Sequence, residues 1–190
     1  MKKKGLIITL SLLLVLSFAV GTTLAWLLDT TAPVVNTFAP SNINITLKET
    51  NADAGSETEN TYKMLPGTEI PKDPKVTVLE GSEACWLYVK VIKDGNVDEY
   101  LNVEMAEGWV NIEDTDVWYY NDTIVQGTPI PVLAGNKVTV KDEVTKGMMS
   151  VLEIDGATLP TITFQAYAVQ EQAGADAPTA WDNTYGSDNP

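Results

Sequence analysis

Apolar and polar residues alternate with period two along several stretches of the chain, the pattern of strands buried on one face. In residues 42–48, Ile43, Ile45 and Leu47 share a face, and Asn44 and Thr46 take the other. In 85–93, Cys85, Leu87, Val89 and Val91 oppose Trp86, Tyr88 and Lys90. In 137–144, Val138, Val140 and Val144 oppose Lys137, Thr139 and Lys141. In 161–170, Ile162, Phe164, Ala166 and Ala168 oppose Thr161, Thr163, Gln165 and Tyr167. Further β-prone runs lie at 75–80, 100–105, 117–120, 130–133 and 148–154.

Turn residues separate these runs. Asp94-Gly95-Asn96 and Ala134-Gly135-Asn136 predict hairpin loops, and Asp155-Gly156 another turn. Pro66, Pro71 and Pro74 mark an edge strand or loop. The pattern of 104–113 does not separate a short helix from a loop. About nine short strands with no sustained helical period predict an all-β fold, an antiparallel sandwich. Residues 49–60 carry no large apolar side chain and read as an exposed loop. Residues 171–190 read as a flexible tail, with Trp181 the residue to dock it if it docks.

The first 25 residues follow another rule. Lys2, Lys3 and Lys4 precede an apolar run from Leu6 to Val20, and small residues follow. This is the layout of a signal peptide, with Thr23 and Ala25 at −3 and −1 and Trp26 as the first mature residue. An uncleaved anchor is the rival, since the run approaches the roughly 17–20 residues of a membrane span. The Thr-x-Ala site and the polar switch after Leu28 favour cleavage. The chain then divides into a leader at 1–25, an apolar-rich segment at 26–41, a sandwich at 42–170 and the tail. Cleavage after Ala25 would leave 190 − 25 = 165 residues, and a chain of that size can bury roughly 68–70% of its unfolded surface, enough for a core without disulfides.

Composition narrows the function. The chain of 190 residues has 12 Lys, no Arg and no His, against 26 Asp plus Glu. No Ser-His-Asp triad, His-ligated zinc or Arg phosphate clamp can be built from it. A charge of −14 opposes nucleic-acid binding. One cysteine excludes an intrachain disulfide. Export with a single Cys fits a bacterial envelope protein held by its core.

Candidate chemistry is sparse. Cys85, on the apolar face of its strand, reads as a buried thiol. The acidic groups Asp94/Asp98/Glu99, Glu113/Asp114/Asp116/Asp122 and Asp182/Asp188 lack a calcium-loop spacing and read as solvated surface. Trp86, Trp109, Trp118, Tyr119 and Tyr120 read as core or interface, with a carbohydrate platform as the alternative. No catalytic residue, metal or cofactor is expected. The paired-carboxylate hydrolase that composition still permits has no sequence support.

Several segments resemble one family. Residues 21–38 (GTTLAWLLDTTAPVVNTF) resemble the SipW-type leader junction and mature start of Gram-positive bacteria. Lys63-Met-Leu-Pro-Gly67, Lys72-Asp-Pro-Lys-Val76, the strand 85–91 (CWLYVKV) and Ala166-Tyr-Ala-Val-Gln170 resemble later stretches of the camelysin/TasA-type family. The resemblance implies a jelly-roll sandwich, export through a SipW-like signal peptidase, and assembly into biofilm-matrix or cell-surface filaments. It also implies that the mature N-terminal segment is donated into the next subunit's sheet. Some family members have been described as proteases, and resemblance does not choose between roles.

The residues themselves are compatible with donation. Trp26, Leu27, Leu28, Val34, Val35 and Phe38 precede the first strand without an obvious partner, and an extended segment can add to a sheet edge. Such a head-to-tail contact does not close and propagates. Folding back onto its own sandwich is the other reading. The expected partners are therefore further copies of the chain or a paralogous matrix subunit, with membrane contact only through the leader. A monomeric adhesion module and a minor anchoring subunit remain alternatives.

Overall fold

The computed structural model describes residues 3–5, 7–11, 42–49, 60–171 and 174–186. The chain divides into two units, Met1–Ala39 and Pro40–Pro190. In the first, residues 3–5 and 7–11 are helical. Among the described residues no helix is long and apolar enough to cross a membrane.

The second unit is predominantly β. Its strands are β1 (Ile45–Glu49), β2 (Glu69–Pro71), β3 (Pro74–Val78), β4 (Cys85–Asp94), β5 (Leu101–Asn102), β6 (Trp109–Asn111), β7 (Val117–Tyr120), β8 (Ile130–Pro131), β9 (Lys137–Val140) and β10 (Thr161–Gln170). Its helices are α1 (Val97–Tyr100), α2 (Lys146–Leu152) and α3 (Ala177–Tyr185). The strands form three antiparallel sheets, ordered β1-β3-β8, β10-β4-β7-β6 and β2-β9-β5.

Alternation explains the layers. Cys85, Leu87, Val89 and Val91 of β4 meet Val76 and Val78 of β3 and Ile130 in one core, with Ile162, Phe164, Ala166 and Ala168 packed against it. The β1 and β10 sheets therefore enclose their shared core with the faces that alternation predicts. A second core joins Ile70, Leu101, Val138 and Val140 of the third sheet to Val97 and Tyr100, under Met148, Met149 and Leu152 of α2.

The opposite face of β4 is also buried. Tyr88, Val117 and Val169 lie under Ala177, Ala180 and Trp181 of α3. The expected tail is thus a helix over Ala177–Tyr185. Asp176 caps it by accepting from the Thr179 N–H at 3.0 Å, Pro178 sits in its first turn, and Ala177, Ala180 and Trp181 recur at helical spacing.

Four further expectations are corrected. Residues 148–154 are read as a strand, but 148–152 belong to α2 (Lys146–Leu152), which Thr145 caps by accepting from the Met148 N–H at 3.2 Å, and Glu153 is its C-cap. The undecided stretch 104–113 contains β6. The last sheet strand before α2 stops at Val140, and Val144 is buried beyond it. The two predicted hairpins are corners instead. Asp94-Gly95-Asn96 leads into α1, and Ala134-Gly135-Asn136 is a 3-10 turn joining strands of different sheets. Left-handed φ is present at both (65° and 58° at Gly95 and Asn96; 62° and 54° at Gly135 and Asn136), but it turns the chain between layers. A Cβ at Gly95 would lie 2.3 Å from the Leu159 carbonyl oxygen, which fixes glycine at that corner.

Candidate functional site

The residues expected to act in processing and assembly, Thr23, Ala25, Trp26, Leu27, Leu28, Val34, Val35 and Phe38, lie outside the described residues, as do 50–59 and Asp188. The described part supplies the other half of the question: a surface that could receive a strand.

Register fixes which backbone groups face outward. The Glu171 N–H donates to the Ala84 carbonyl at 3.0 Å, and this pair continues the β10–β4 register from Gln170↔Cys85. Bonded and non-bonded pairs alternate in an antiparallel ladder. Odd-numbered β10 residues therefore turn their backbone groups to β4. Ile162, Phe164, Ala166 and Ala168 turn theirs to the outer edge. The same rule holds in β1, where the Leu79 N–H donates to the Asn44 carbonyl at 2.8 Å in line with Ile45↔Val78. Thr46 and Lys48 face β3, and Ile45, Leu47 and Glu49 face outward. Among the described residues, β1 and β10 are edge strands with one ladder each.

These two edges border a groove. Leu47 and Glu49 from β1 and Ile162 and Phe164 from β10 line a hollow of about 150 Å³. It adjoins a larger hollow of about 240 Å³ walled by Tyr62, Met64, Ile70, Leu101 and Pro160, and the two share Lys72 and Ile162. The larger hollow is mainly apolar, and the smaller mixes Leu47, Pro74, Ile162 and Phe164 with Lys48, Glu49, Lys72 and Thr163, so an extended segment with alternating apolar and polar residues would find both backbone partners and side-chain pockets here.

A polar node stands between the hollows. Lys72 Nζ lies 2.6 Å from Glu49 Oε1, and the side chains are 15% and 11% exposed. Glu49 Oε2 accepts from the Tyr62 hydroxyl at 3.1 Å and from Asn60 Nδ2 at 3.3 Å. The ammonium also sits 5.4 Å from the Tyr62 ring centroid and 5.7 Å from that of Phe164. Glu49 and Asn60, read as ends of an exposed loop, thus belong to a largely buried network. Its members are separated by up to 115 positions, counting from Glu49 to Phe164 (164 − 49), so no local pattern groups them.

The other candidates fall into place separately. Cys85 is buried, with Sγ 3.7 Å from the Ile124 carbonyl oxygen, and burial pushes its thiol up to about 11. The strand aromatics do not form one platform. Trp109 is buried, donates from Nε1 to the Pro131 carbonyl at 2.8 Å and meets Tyr120 edge-on at 5.4 Å. Trp118 and Tyr120 pack on the first core, whereas Trp86 and Tyr119 pack beneath α3. Asp98 pairs with Lys93 at 2.7 Å, and among the described residues no group of three or more Cys, Asp or Glu is placed to hold a metal ion. A separate open hollow of about 560 Å³ lies at the β4–β7 end, bordered by Val91, Met105, Asp116 and Trp118.

No family model, curated protein or solved structure matches this chain.

Proposed function

We propose that this chain is an exported structural protein, a subunit of an extracellular biofilm-matrix or cell-surface filament assembled by donor-strand exchange. In this reading the leader ends at Ala25, the second unit is a jelly-roll sandwich, and the segment carrying Trp26, Leu27, Leu28, Val34, Val35 and Phe38 enters a neighbouring subunit. The camelysin/TasA-like motifs motivate the reading. The observation that carries it is the groove between β1 and β10, whose two edges turn backbone groups outward among the described residues. A strand seated there would continue the sheets, and its alternate side chains would meet Leu47, Ile162 and Phe164.

The test is negative-stain microscopy of purified residues 26–190 beside a chain beginning at Val34. Filaments from the first and none from the second are expected. Discrete particles from both, with no assembly on adding a paralogous subunit, would favour a monomeric binding module. Filaments of equal length from both would remove the role of the segment before Val34.

A further inference from the structure

The node around Glu49 holds more than an ion pair. One carboxylate contacts a primary amine through Oε1 and a carboxamide through Oε2. The Tyr62 hydroxyl fixes the second oxygen, and the Tyr62 and Phe164 rings flank the amine. Amine, carboxamide and an intervening acid–base group are the complete set for transamidation, and folding has placed the amine and the carboxamide on the two oxygens of one carboxylate.

We propose that Lys72 and Asn60 join through a side-chain isopeptide bond, with Glu49 carrying the protons. Glu49 Oε1 takes a proton from Lys72 Nζ, leaving a neutral amine. The nitrogen lone pair attacks Asn60 Cγ, forming the Nζ–Cγ bond and moving the carbonyl π electrons onto Oδ1. Glu49 delivers its proton to Nδ2 and accepts a further one from Nζ. The carbonyl re-forms, the electrons of the Cγ–Nδ2 bond leave with nitrogen as ammonia, and Glu49 passes its second proton to that ammonia. Starting from the lysine ammonium, the products are one secondary amide and one ammonium ion. The step is redox-neutral and consumes no co-reactant.

The bond would tie the segment entering the second unit's larger hollow to the corner between β2 and β3. Residues 60 and 72 would become covalent neighbours beside the β10 edge. A cross-link at this point closes the loop between residues 60 and 72, so lifting residue 60 off the β2–β3 corner would require breaking an amide.

Intact-mass spectrometry of the full chain tests the proposal. The expected mass is lower than the sequence mass by one ammonia. Trypsin should yield one branched product joining residues 49–63 to residues 64–75, uncut at Lys72 and fragmenting at the Asn60–Lys72 link. Lys72→Arg and Glu49→Gln should each restore the full sequence mass. An unmodified wild-type mass, with separate peptides ending at Lys63 and Lys72, would overturn the proposal without recourse to any variant. Ammonia loss that persists in Lys72→Arg would overturn it as well, since it would then arise from asparagine alone.

Discussion

The Tyr88 phenol donates to the Ala177 carbonyl across 2.8 Å, pinning the middle of β4 to the first turn of α3. Trp181 closes the same contact from one turn further on, 4.9 Å from Tyr88, 5.4 Å from Tyr167 and 4.6 Å from Tyr185 between ring centroids. The helix therefore covers a sheet face that would otherwise present Tyr88, Val117 and Val169 to water. Tyr88→Phe keeps the ring but leaves the Ala177 carbonyl without this donor, and should lower the unfolding free energy by about 1–3 kcal/mol. Trp181→Ala removes the ring itself and should cost about 3–5 kcal/mol. Urea denaturation followed by far-UV circular dichroism measures both. Equal midpoints for wild type and Trp181→Ala would show that the helix contributes no stability to the sheet.

Burial of Cys85 and Tyr88 makes the fold sensitive to alkali. Desolvation raises the Cys85 thiol from 9.0 to about 11, and desolvation chiefly raises the Tyr88 phenol above its ordinary 10.0. Both groups are neutral when protonated. Above pH 9 the unfolded chain loses the Cys85 proton before the folded one does, so it binds fewer protons and stability falls as pH rises. The Cys85 contribution is fully present below pH 9 and is lost through about 11. The Tyr88 contribution begins to fall above 10. Melting temperature should decline from pH 9 upward, and Cys85→Ala should flatten the first part of that decline. A wild-type melting temperature independent of pH between 8.5 and 10.5 would contradict the assignment.

The long strands were legible because their alternation survives burial. Residues 161–170 and β10 coincide, and the Cys85/Leu87/Val89/Val91 face of β4 lies in the predicted core. Tyr88 was assigned to an outer face because nothing on β4 signals a covering helix. That signal sits at Asp176-Ala-Pro-Thr179, a cap followed by proline, within a stretch whose Gly, Asn and Asp content reads as tail. Met148, Leu152 and Ile154 fit a period of two, whereas Met148, Met149 and Leu152 fit one of 3.6, and the Thr145 cap decides for helix. Among the described strands only β6 and β7 are sequence neighbours that pair. The groove therefore arises from pairings between distant segments, which local patterns do not encode. Lys72 showed its place in a proline-flanked motif, yet nothing in that motif points to Glu49, Asn60 or Phe164.

The alternation of outward and inward backbone groups along β10 gives a two-position proline test. At Ala166 the N–H points away from β4, so proline there removes no ladder bond, and edge strands tolerate it. At Gln165 the N–H points into the β10–β4 ladder, and proline breaks a bond between two long strands. Ala166→Pro should leave a folded monomer with a melting temperature near that of wild type while abolishing strand addition at this edge. Gln165→Pro should destabilise the fold by about 1–3 kcal/mol, the cost of a carbonyl on β4 left without its donor. Thermal denaturation and microscopy of residues 26–190 carrying each change separate the two effects. Filaments of normal length from Ala166→Pro would place the receiving edge elsewhere.

Charge sets how readily copies can approach one another. Removal of residues 1–25 takes away Lys2, Lys3 and Lys4 and no acid, so the remaining chain carries 9 Lys against 26 Asp plus Glu, or 9 − 26 = −17. Subunits brought end to end repel through this excess, and the repulsion reaches about 8 Å in physiological salt. Protonation toward pH 4 neutralises carboxylates near their ordinary range and shrinks the excess from the acidic side. Added salt shortens the reach without changing the charge. Both should accelerate assembly, whereas a monomer whose segment at 26–41 folds back on its own sandwich has no intersubunit repulsion to relieve. Light scattering from residues 26–190 should therefore rise faster at about pH 4.5 than at about pH 7.5. At the higher pH the rate should also increase with salt. Equal rates at both pH values and all salt concentrations would show that encounter between subunits is not limited by their charge.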